Sequence, residues 1–351
     1  MQRIHVNVGD GYFVHIGKGL LDSCGEIVKG IVTSSRVLIV TDSNVQKLYL
    51  DRAEKSLADA GFEVFSFVFP AGEKSKNFST LADILEHCAE CSLDRKDCIV
   101  ALGGGVTGDL AGFAAGCYMR GISCVQIPTT LLAAVDSSVG GKTAVDLKAG
   151  KNLAGVFLQP KAVICDTDCL KTLDSDNFAC GMSEAIKTGI LSGDELFNLF
   201  ENEIDEDILA QIIALCVKYK GSIVEADEKE SGIRKALNLG HTAAHGIEKA
   251  SDYTMLHGQA VAVGTMIIAR AAAELWGVDG SFIKRLEAVF KKHNLPTETE
   301  LDAQTIAEIA LSDKKKHGNS ISLVVPRSIG KFEFKDVPTD ELTHIFSQGI
   351  N

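Results

Sequence analysis

The sequence predicts an α/β parallel-sheet domain followed by an all-α domain, and three observations carry that prediction. From residue 36 to about 175, short β-branched runs ended by Gly, Pro or Asp alternate with helical stretches. After about residue 176 the strands stop and 3.6-residue periodicity takes over. A glycine-rich loop directly follows one of the expected strands.

Taken in order, the N-terminus "MQRIHVNVGDGYFVHIG" alternates like a strand and lacks the charged-then-apolar form of a secretory leader. Strands are expected at 36–42 (RVLIVTD), 63–69 (EVFSFVF), 98–105 (CIVALGGG), 123–128 (SCVQIP) and 162–166 (AVICD). "NVQKLYLDRAEKSLADAG" and "FSTLADILEHCAECS" read as helices between them, which gives βαβ grammar and ligands at the carboxyl ends of strands. Helices are then expected from "DELFNLFENEIDEDILAQIIALCVKYKGSIV" onward. The long apolar segment Ala260 to Val278 is interrupted by Arg270 and Glu274, so it reads as a core helix and not a membrane span.

With 351 residues, 46% hydrophobic and 23% charged, the chain has an ordinary globular composition and room for two domains. Its formal charge of −12 excludes a general nucleic-acid binder, which needs a basic face. A small anionic substrate stays open, because a basic pocket can sit in an acidic protein. The ten cysteines are scattered through apolar runs and read as reduced thiols in a cytosol. Cys88 and Cys91 form a C-x-x-C with no second pair downstream, so buried or partly buried thiols are expected there.

"GGGVTG" places Gly103, Gly105 and Gly108 as G-x-G-x-x-G between a strand and a helix-like stretch, which suits a pyrophosphate at a helix N-terminus. A tight turn that simply needs glycines is the competing reading, since two βα units precede it. Asp42 ends an earlier strand, where a carboxylate can accept bonds from a ribose. "SSVGGKTAVD" is not a P-loop: the pattern needs glycine at 136, and Asp136 stands there. What remains is a glycine turn presenting Lys142, followed by Lys148, Lys151 and Lys161.

His241 and His245 are four apart and share a helix face. Thr242 stands where a zincin needs its glutamate, so a metalloprotease is excluded. Glu230, Arg234, Asn238, His241 and His245 step by 4, 4, 3 and 4, a polar stripe if one helix runs unbroken through Gly232. A catalytic metal needs further ligands. His257 lies sixteen residues after His241, and "GMSEAIKTG" offers Glu184 with Lys187 on the same helical face.

These motifs in order, "GGGVTGDLAGFAA", "YMRGI", "IPTTLLAAVDSSVGGKTAVD", "KNLAG", "EAIKTG", "DEKESGIRKALNLGHTAAH", "LHGQAVAVG" and "DKK", resemble the 3-dehydroquinate synthase family over nearly the full chain. The resemblance implies a dehydroquinate synthase-like fold: a Rossmann-like NAD-binding domain, here 1–175, and a helical metal- and substrate-binding domain, 176–351, usually in a homodimer. It implies a divalent metal, zinc or cobalt, held by Glu184, His241 and His257, with His245 on the substrate side. It implies NAD contacts at Asp42, Glu73, Lys76, Gly104, Gly105, Asp109, Thr129, Thr130, Lys142, Lys151 and Thr172. Substrate phosphate is assigned to Lys142, Asn152, Asn238, His245 and Lys314 or Lys315, with Arg120 reaching it from the partner subunit. The carboxylate is assigned to Arg234 and Lys220, and the ring hydroxyls to Asp136, Lys187 and Glu230; Lys142 and His245 count with these as catalytic.

The implied reaction turns 3-deoxy-D-arabino-heptulosonate 7-phosphate into 3-dehydroquinate and phosphate in the shikimate pathway. It proceeds by transient oxidation, β-elimination, re-reduction and intramolecular aldol closure, so it is a lyase with no net redox. The chain departs from the family pattern in "TLDSDNFACGMSE", in "HTAAHG" and at Gln259, where glutamate is more frequent and a change around His257 is expected. A metal-dependent polyol or alcohol dehydrogenase, another sugar-phosphate cyclase and a non-catalytic nucleotide- or metal-binding module are the rival readings.

Overall fold

The structure, a computed structural model, describes residues 1–312 and 319–350. Its contacts divide the chain into two compact units: Met1–Leu173 with Ile213–Glu228, and Asp174–Ile212 with Lys229–Asn351.

In the first unit the strands are β1 (Gln2–Val6), β2 (Tyr12–Gly17), β3 (Arg36–Asp42), β4 (Glu63–Phe69), β5 (Cys98–Gly103), β6 (Ser123–Pro128), β7 (Lys142–Leu147), β8 (Gly150–Phe157) and β9 (Ala162–Asp166). Its helices include α1 (Cys24–Lys29), α2 (Asp51–Asp59), α3 (Phe78–Glu90) and α4 (Gly105–Cys117). A seven-stranded sheet has the order β1-β2-β9-β6-β5-β3-β4, antiparallel at β1–β2 and parallel elsewhere.

Alternation along the strands feeds both faces of the sheet. Val37, Ile39, Val100 and Leu102 join Leu57 and Tyr49 in one core, while Leu38, Val40, Ile99 and Ala101 join Leu81, Ile84 and Leu110 in the other. Strands buried on both sides read as continuous apolar runs, which is why they were legible. After β3 the chain goes to β4 on one side and then to β5 on the other. The crevice for a ligand therefore opens at the carboxyl ends of β3 and β5, at Asp42 and Gly103. The antiparallel hairpin β7–β8 was not expected; it turns the lysine-bearing segment after Gly141 into strand.

The second unit is built on α5 (Ser175–Ser192), α6 (Asp194–Phe197), the start of α7 (Glu206–Ala226), α8 (His241–Ala250), α9 (His257–Trp276), α10 (Gly280–Lys292), α11 (Ala303–Ser312) and α12 (Leu342–Gly349). It is helical as expected, with one correction: β10 (Ser320–Ser328) and β11 (Lys331–Pro338) pair as an antiparallel hairpin, so strands do not stop at 176. The apolar stretch of α9 is buried from Ala260 to Ala272, and Arg270 is accommodated because its Nη1 donates to the Thr297 carbonyl at 2.8 Å. Among the described residues no helix is long and apolar enough to cross a membrane. A second correction concerns the polar stripe. The helix does not run through Gly232: α7 ends at Ala226, a 3₁₀ segment covers Ile233–Asn238, and α8 starts only after Gly240, whose φ is +78°.

Two histidines give the fold a pH dependence. Burial pushes the imidazoles of His15, on β2, and His293, after α10, below the usual 6.5; Arg3 adds to it at the first, while the Phe200 carbonyl opposes it at the second. A depressed folded value means the unfolded chain takes up protons first. The stability tied to these groups is thus present above about 6.5 and lost as pH falls from there through their folded values. Thermal midpoints measured between pH 7 and 5 are expected to fall, and the His15→Gln/His293→Gln variant is expected to fall less steeply. Parallel slopes would count against this origin.

Candidate functional site

In the first unit the glycine loop is built by close packing. A Cβ on Gly103 would meet the Thr107 hydroxyl at 2.4 Å, one on Gly104 would meet Thr130 Cγ2 at 3.0 Å, and one on Gly108 would meet Gln126 Oε1 at 2.7 Å. Close neighbours, not left-handed backbone, therefore favour glycine here, and that packing coexists with a cradle. Helix α4 starts after its N-cap Gly104 with no side-chain cap, leaving the amides of its first turn open to an anion. Thr129 donates its amide to the Gly103 carbonyl at 3.0 Å and so draws Thr129 and Thr130 against the loop. Asp42 reaches the same place: one carboxylate oxygen takes the Asn44 and Val45 amides, and the other lies 3.4 Å from the Thr107 hydroxyl.

Lys76 is buried, and its ammonium lies 2.5 Å from both Asp109 Oδ2 on α4 and Asn152 Oδ1 on β8, with Glu73 at 3.9 Å. Burial pushes the Asp109 carboxyl up despite the opposing charge of Lys76. Asn152, which the resemblance assigns to substrate phosphate, thus lies beside Lys76, with a left-handed φ of 57°. Lys142 opens β7 on its exposed edge, and Lys151 lies near the start of β8. Thr172 closes a 3₁₀ turn with its hydroxyl 2.5 Å from that of Tyr49. Lys220, on α7, donates to the Asp136 carbonyl at 2.6 Å and pairs with the Asp136 carboxylate. Arg120 is exposed, in a strained stretch where Met119 and Arg120 both have positive φ.

The second unit holds a group of different character, gathered around the buried Glu184 and Lys187. Glu184 and Lys187 lie on α5, one turn apart, with Glu184 Oε2 2.5 Å from the Lys187 ammonium. His241 Nε2 and His257 Nε2 approach Glu184 Oε1 at 3.6 and 3.3 Å. Glu184, His241 and His257 offer one ligand atom each, all within 4.8 Å of one another. His241 holds its other nitrogen, Nδ1, 3.1 Å from the Leu239 carbonyl, so Nδ1 carries the proton and Nε2 presents a lone pair.

The charges suit a cation. Burial works against the Glu184 carboxylate, yet Lys187, His241 and His257 outweigh it and hold the group ionised, well below the usual range. Its two oxygens have charged neighbours, but none in the alignment of a hydrogen bond. Burial and Lys187 drive His241 down to about 3, which leaves it a neutral imidazole. Burial disfavours a proton on His257, but Glu184 and Glu248 overcome that and raise it to about 10. A carboxylate, a neutral imidazole and an imidazole that exchanges its proton for a cation are a fitting donor set for a divalent metal.

His245 stands apart. It is exposed on α8, its ring centroid 5.7 Å from that of His241, and it is not among the gathered ligand atoms. Arg234 is fully buried in the 3₁₀ segment, and Asn238 donates to Glu230 Oε1 at 2.8 Å although the stripe that suggested their proximity is not one helix. Glu230, Asn238 and Thr242 line a cavity of about 530 Å³ together with Ser320, Ser322 and Phe334 of the unexpected hairpin. Lys314 and Lys315 lie outside the described residues.

Sequence reasoning missed Glu248, whose carboxylate approaches His257 Nδ1 at 3.4 Å. The available signal was its position seven residues after His241, on the same face of α8. All ten cysteines are free; eight are buried, Cys91 is half-buried and Cys117 exposed, and burial pushes Cys88 up to about 12, out of reach of reactive chemistry.

The metal group depends on a tight helix crossing. A Cβ on Gly258, next to His257, would lie 2.3 Å from Cys180 Cα and 2.4 Å from its carbonyl oxygen on α5. Gly258→Ala is expected to force α9 from α5, costing about 1–3 kcal/mol and displacing His257 from Glu184. Chemical denaturation together with metal content checks this; a stable variant with full metal content would refute it.

Fold and site together define a class: an α/β unit with a glycine-loop cradle, joined in one chain to a helical unit carrying a carboxylate–bis-imidazole group that could hold a metal ion. Comparison with known proteins narrows the class. Residues 66–180 match the 3-dehydroquinate synthase N-terminal family and residues 181–316 the 3-dehydroquinate synthase C-terminal family. A 3-dehydroquinate synthase from Clostridium acetobutylicum is 42% identical over 348 residues, covering 97% of this chain and 98% of that protein. A crystal structure of 2-deoxy-scyllo-inosose synthase with carbaglucose-6-phosphate, NAD+ and Co2+ superposes with a TM-score of 0.89 at 25% identity, covering 99% and 100% of the two chains. The 2-epi-5-epi-valiolone synthase from Streptomyces hygroscopicus, with NAD+ and Zn2+ bound, gives 0.86 at 25% identity over 95% of each. The chain belongs to the 3-dehydroquinate synthase family.

Proposed function

We propose that this chain catalyses its family's reaction, converting 3-deoxy-D-arabino-heptulosonate 7-phosphate to 3-dehydroquinate and inorganic phosphate. NAD is its recycled cofactor, and one divalent metal, zinc or cobalt, completes it. The observation that carries this reading is the Glu184–His241–His257 group beside a buried Lys187. NAD supplies a reversible hydride acceptor and the metal a Lewis acid when they are bound.

The chain's own residues bind, orient and move protons. Glu184, His241 and His257 are the metal's ligands. The Lys187 ammonium, fixed by Glu184, places positive charge beside that site to favour a developing alkoxide. The hydrogen-bonded Glu230 and Asn238 present a carboxylate and an amide to the substrate's hydroxyls and phosphate end. Asp136, paired with Lys220, is a further hydroxyl contact, and the substrate carboxylate is assigned to Arg234 and Lys220. Phosphate is assigned to Lys142, Asn152, His245 and Lys314 or Lys315, with Arg120 supplied by the partner subunit of a homodimer. His245, exposed and beside His241, is assigned to donate to phosphate and to move protons.

For NAD, the uncapped start of α4 receives the pyrophosphate, Gly104 and Gly105 allow its close approach, and Asp42 accepts from the ribose. Glu73, Lys76, Asp109, Thr129, Thr130, Lys142, Lys151 and Thr172 complete the set. A cytoplasmic location belongs to the same reading, and ten free cysteines support it. Treatment with a strong chelator is expected to abolish phosphate release, and zinc or cobalt to restore it. Activity that survives complete metal removal would refute the reading.

A further inference from the structure

His257 sits between two carboxylates, one on each ring nitrogen. Nε2 is 3.3 Å from Glu184 Oε1 and Nδ1 is 3.4 Å from Glu248 Oε2. The Glu248 side chain is 7% exposed, and a buried carboxylate is costly to keep without a purpose for its charge. Its mounting is rigid. The Glu248 carbonyl accepts the Ser251 hydroxyl at 3.0 Å and the Tyr253 amide at 2.7 Å, which locks the end of α8. The turn that follows passes through left-handed Asp252 and Tyr253 and returns the chain to His257. There Gln259 Oε1 accepts the Leu256 amide at 3.1 Å, so the residue that departs from the family pattern serves the start of α9.

We propose that Glu248 is a positioning residue of the metal site, acting through His257. Its carboxylate accepts the Nδ1 proton, which selects the tautomer with the lone pair on Nε2, fixes the ring plane toward Glu184 and makes the imidazole a stronger donor. The two imidazoles of the site are then unequally backed, His241 by the neutral Leu239 carbonyl and His257 by an anion. The anion has a second effect. Lys187 lies 2.5 Å from the ligand carboxylate and repels any cation bound there. Glu184, Glu248 and Lys187 together leave one net negative charge for a divalent ion, whereas Glu184 and Lys187 alone leave none.

The test reads metal affinity and not turnover. It rests on the metal assigned under the proposed function, and a readout without substrate keeps the two separable. Metal-free wild type, Glu248→Gln and Glu248→Ala are titrated with Co2+ in competition with a chromophoric chelator, and the visible bands of bound Co2+ are recorded. Glu248→Gln keeps the size and an acceptor oxygen but loses the charge. Its dissociation constant is expected to rise about 10- to 100-fold, with a displaced Co2+ band, while the thermal midpoint of the metal-free form changes little. Glu248→Ala is expected to bind more weakly still; should it not fold, the Gln variant decides alone. Binding within twofold of wild type, with an unchanged spectrum, overturns the role of Glu248 and leaves the metal site standing. A wild type that binds no Co2+ at all overturns both.

Discussion

His241→Ala is expected to emerge from purification without metal and without activity, while His245→Ala keeps its metal and still loses most of its catalysis. The two histidines lie one turn apart on α8, so helix geometry alone treats them alike. Their surroundings do not. His241 is driven toward the neutral form, backed by the Leu239 carbonyl and aimed at Glu184, whereas His245 points to solvent outside the ligand group. A three-ligand site that loses one imidazole does not retain its ion. Removing a substrate-side donor costs transition-state stabilisation instead, here a fall in kcat/KM on the order of 10²-fold. Metal analysis and steady-state kinetics on the two variants decide it. Two empty variants would make His245 a ligand and take away its phosphate role.

The second large effect concerns the Glu184–Lys187 pair. Glu184→Gln is expected to lose the metal and also to destabilise the second unit by about 3–5 kcal/mol, because it leaves a buried ammonium without its counter-charge. Lys187 is 2% exposed, so its ammonium is largely removed from solvent. The double variant Glu184→Gln/Lys187→Met removes both charges and is expected to recover most of the stability with none of the metal. Equilibrium unfolding and metal content separate these effects. If the single variant is as stable as wild type, Lys187 is not held by Glu184 in the way described.

The sequence was most legible where burial is uniform. The runs at 36–42, 123–128 and 162–166 are strands over those same residues, because parallel strands covered on both faces need unbroken apolar sequence, while 63–69 is a half-buried edge strand marked by its β-branched and aromatic residues. The hairpin β10–β11 escaped notice although Ile321, Leu323 and Val325 alternate and Gly330 marks the turn; the helical periodicity around it dominated the reading. The polar stripe from Glu230 to His245 failed for a local reason: a step of four means one face only within one helix, and left-handed Gly240 separates two segments. The residues still assemble, through a 3₁₀ turn whose spacing resembles a helix closely enough to mislead.

The metal group shows the limit of local patterns. Spacing within 237–258 pairs His241 with His245. The partner that singles out His241 and His257 is Glu184, more than fifty residues upstream on α5, and only the resemblance linked it to them. Glu248 had only its position seven residues after His241, and a glutamate near the end of a short helix is ordinary until its neighbour is known. The tight approach of α9 to α5 at Gly258 is a contact between distant segments and leaves no periodic trace.

The central claim is that the chain uses NAD as a recycled cofactor in a phosphate-releasing cyclisation. Metal-loaded enzyme, 3-deoxy-D-arabino-heptulosonate 7-phosphate and NAD well below the substrate concentration are mixed, and phosphate and NADH absorbance are followed together. The expected result is many equivalents of phosphate per NAD with no accumulation of NADH. Steady growth of the NADH band, one equivalent per product and ending when NAD is exhausted, would contradict the account and favour a dehydrogenase.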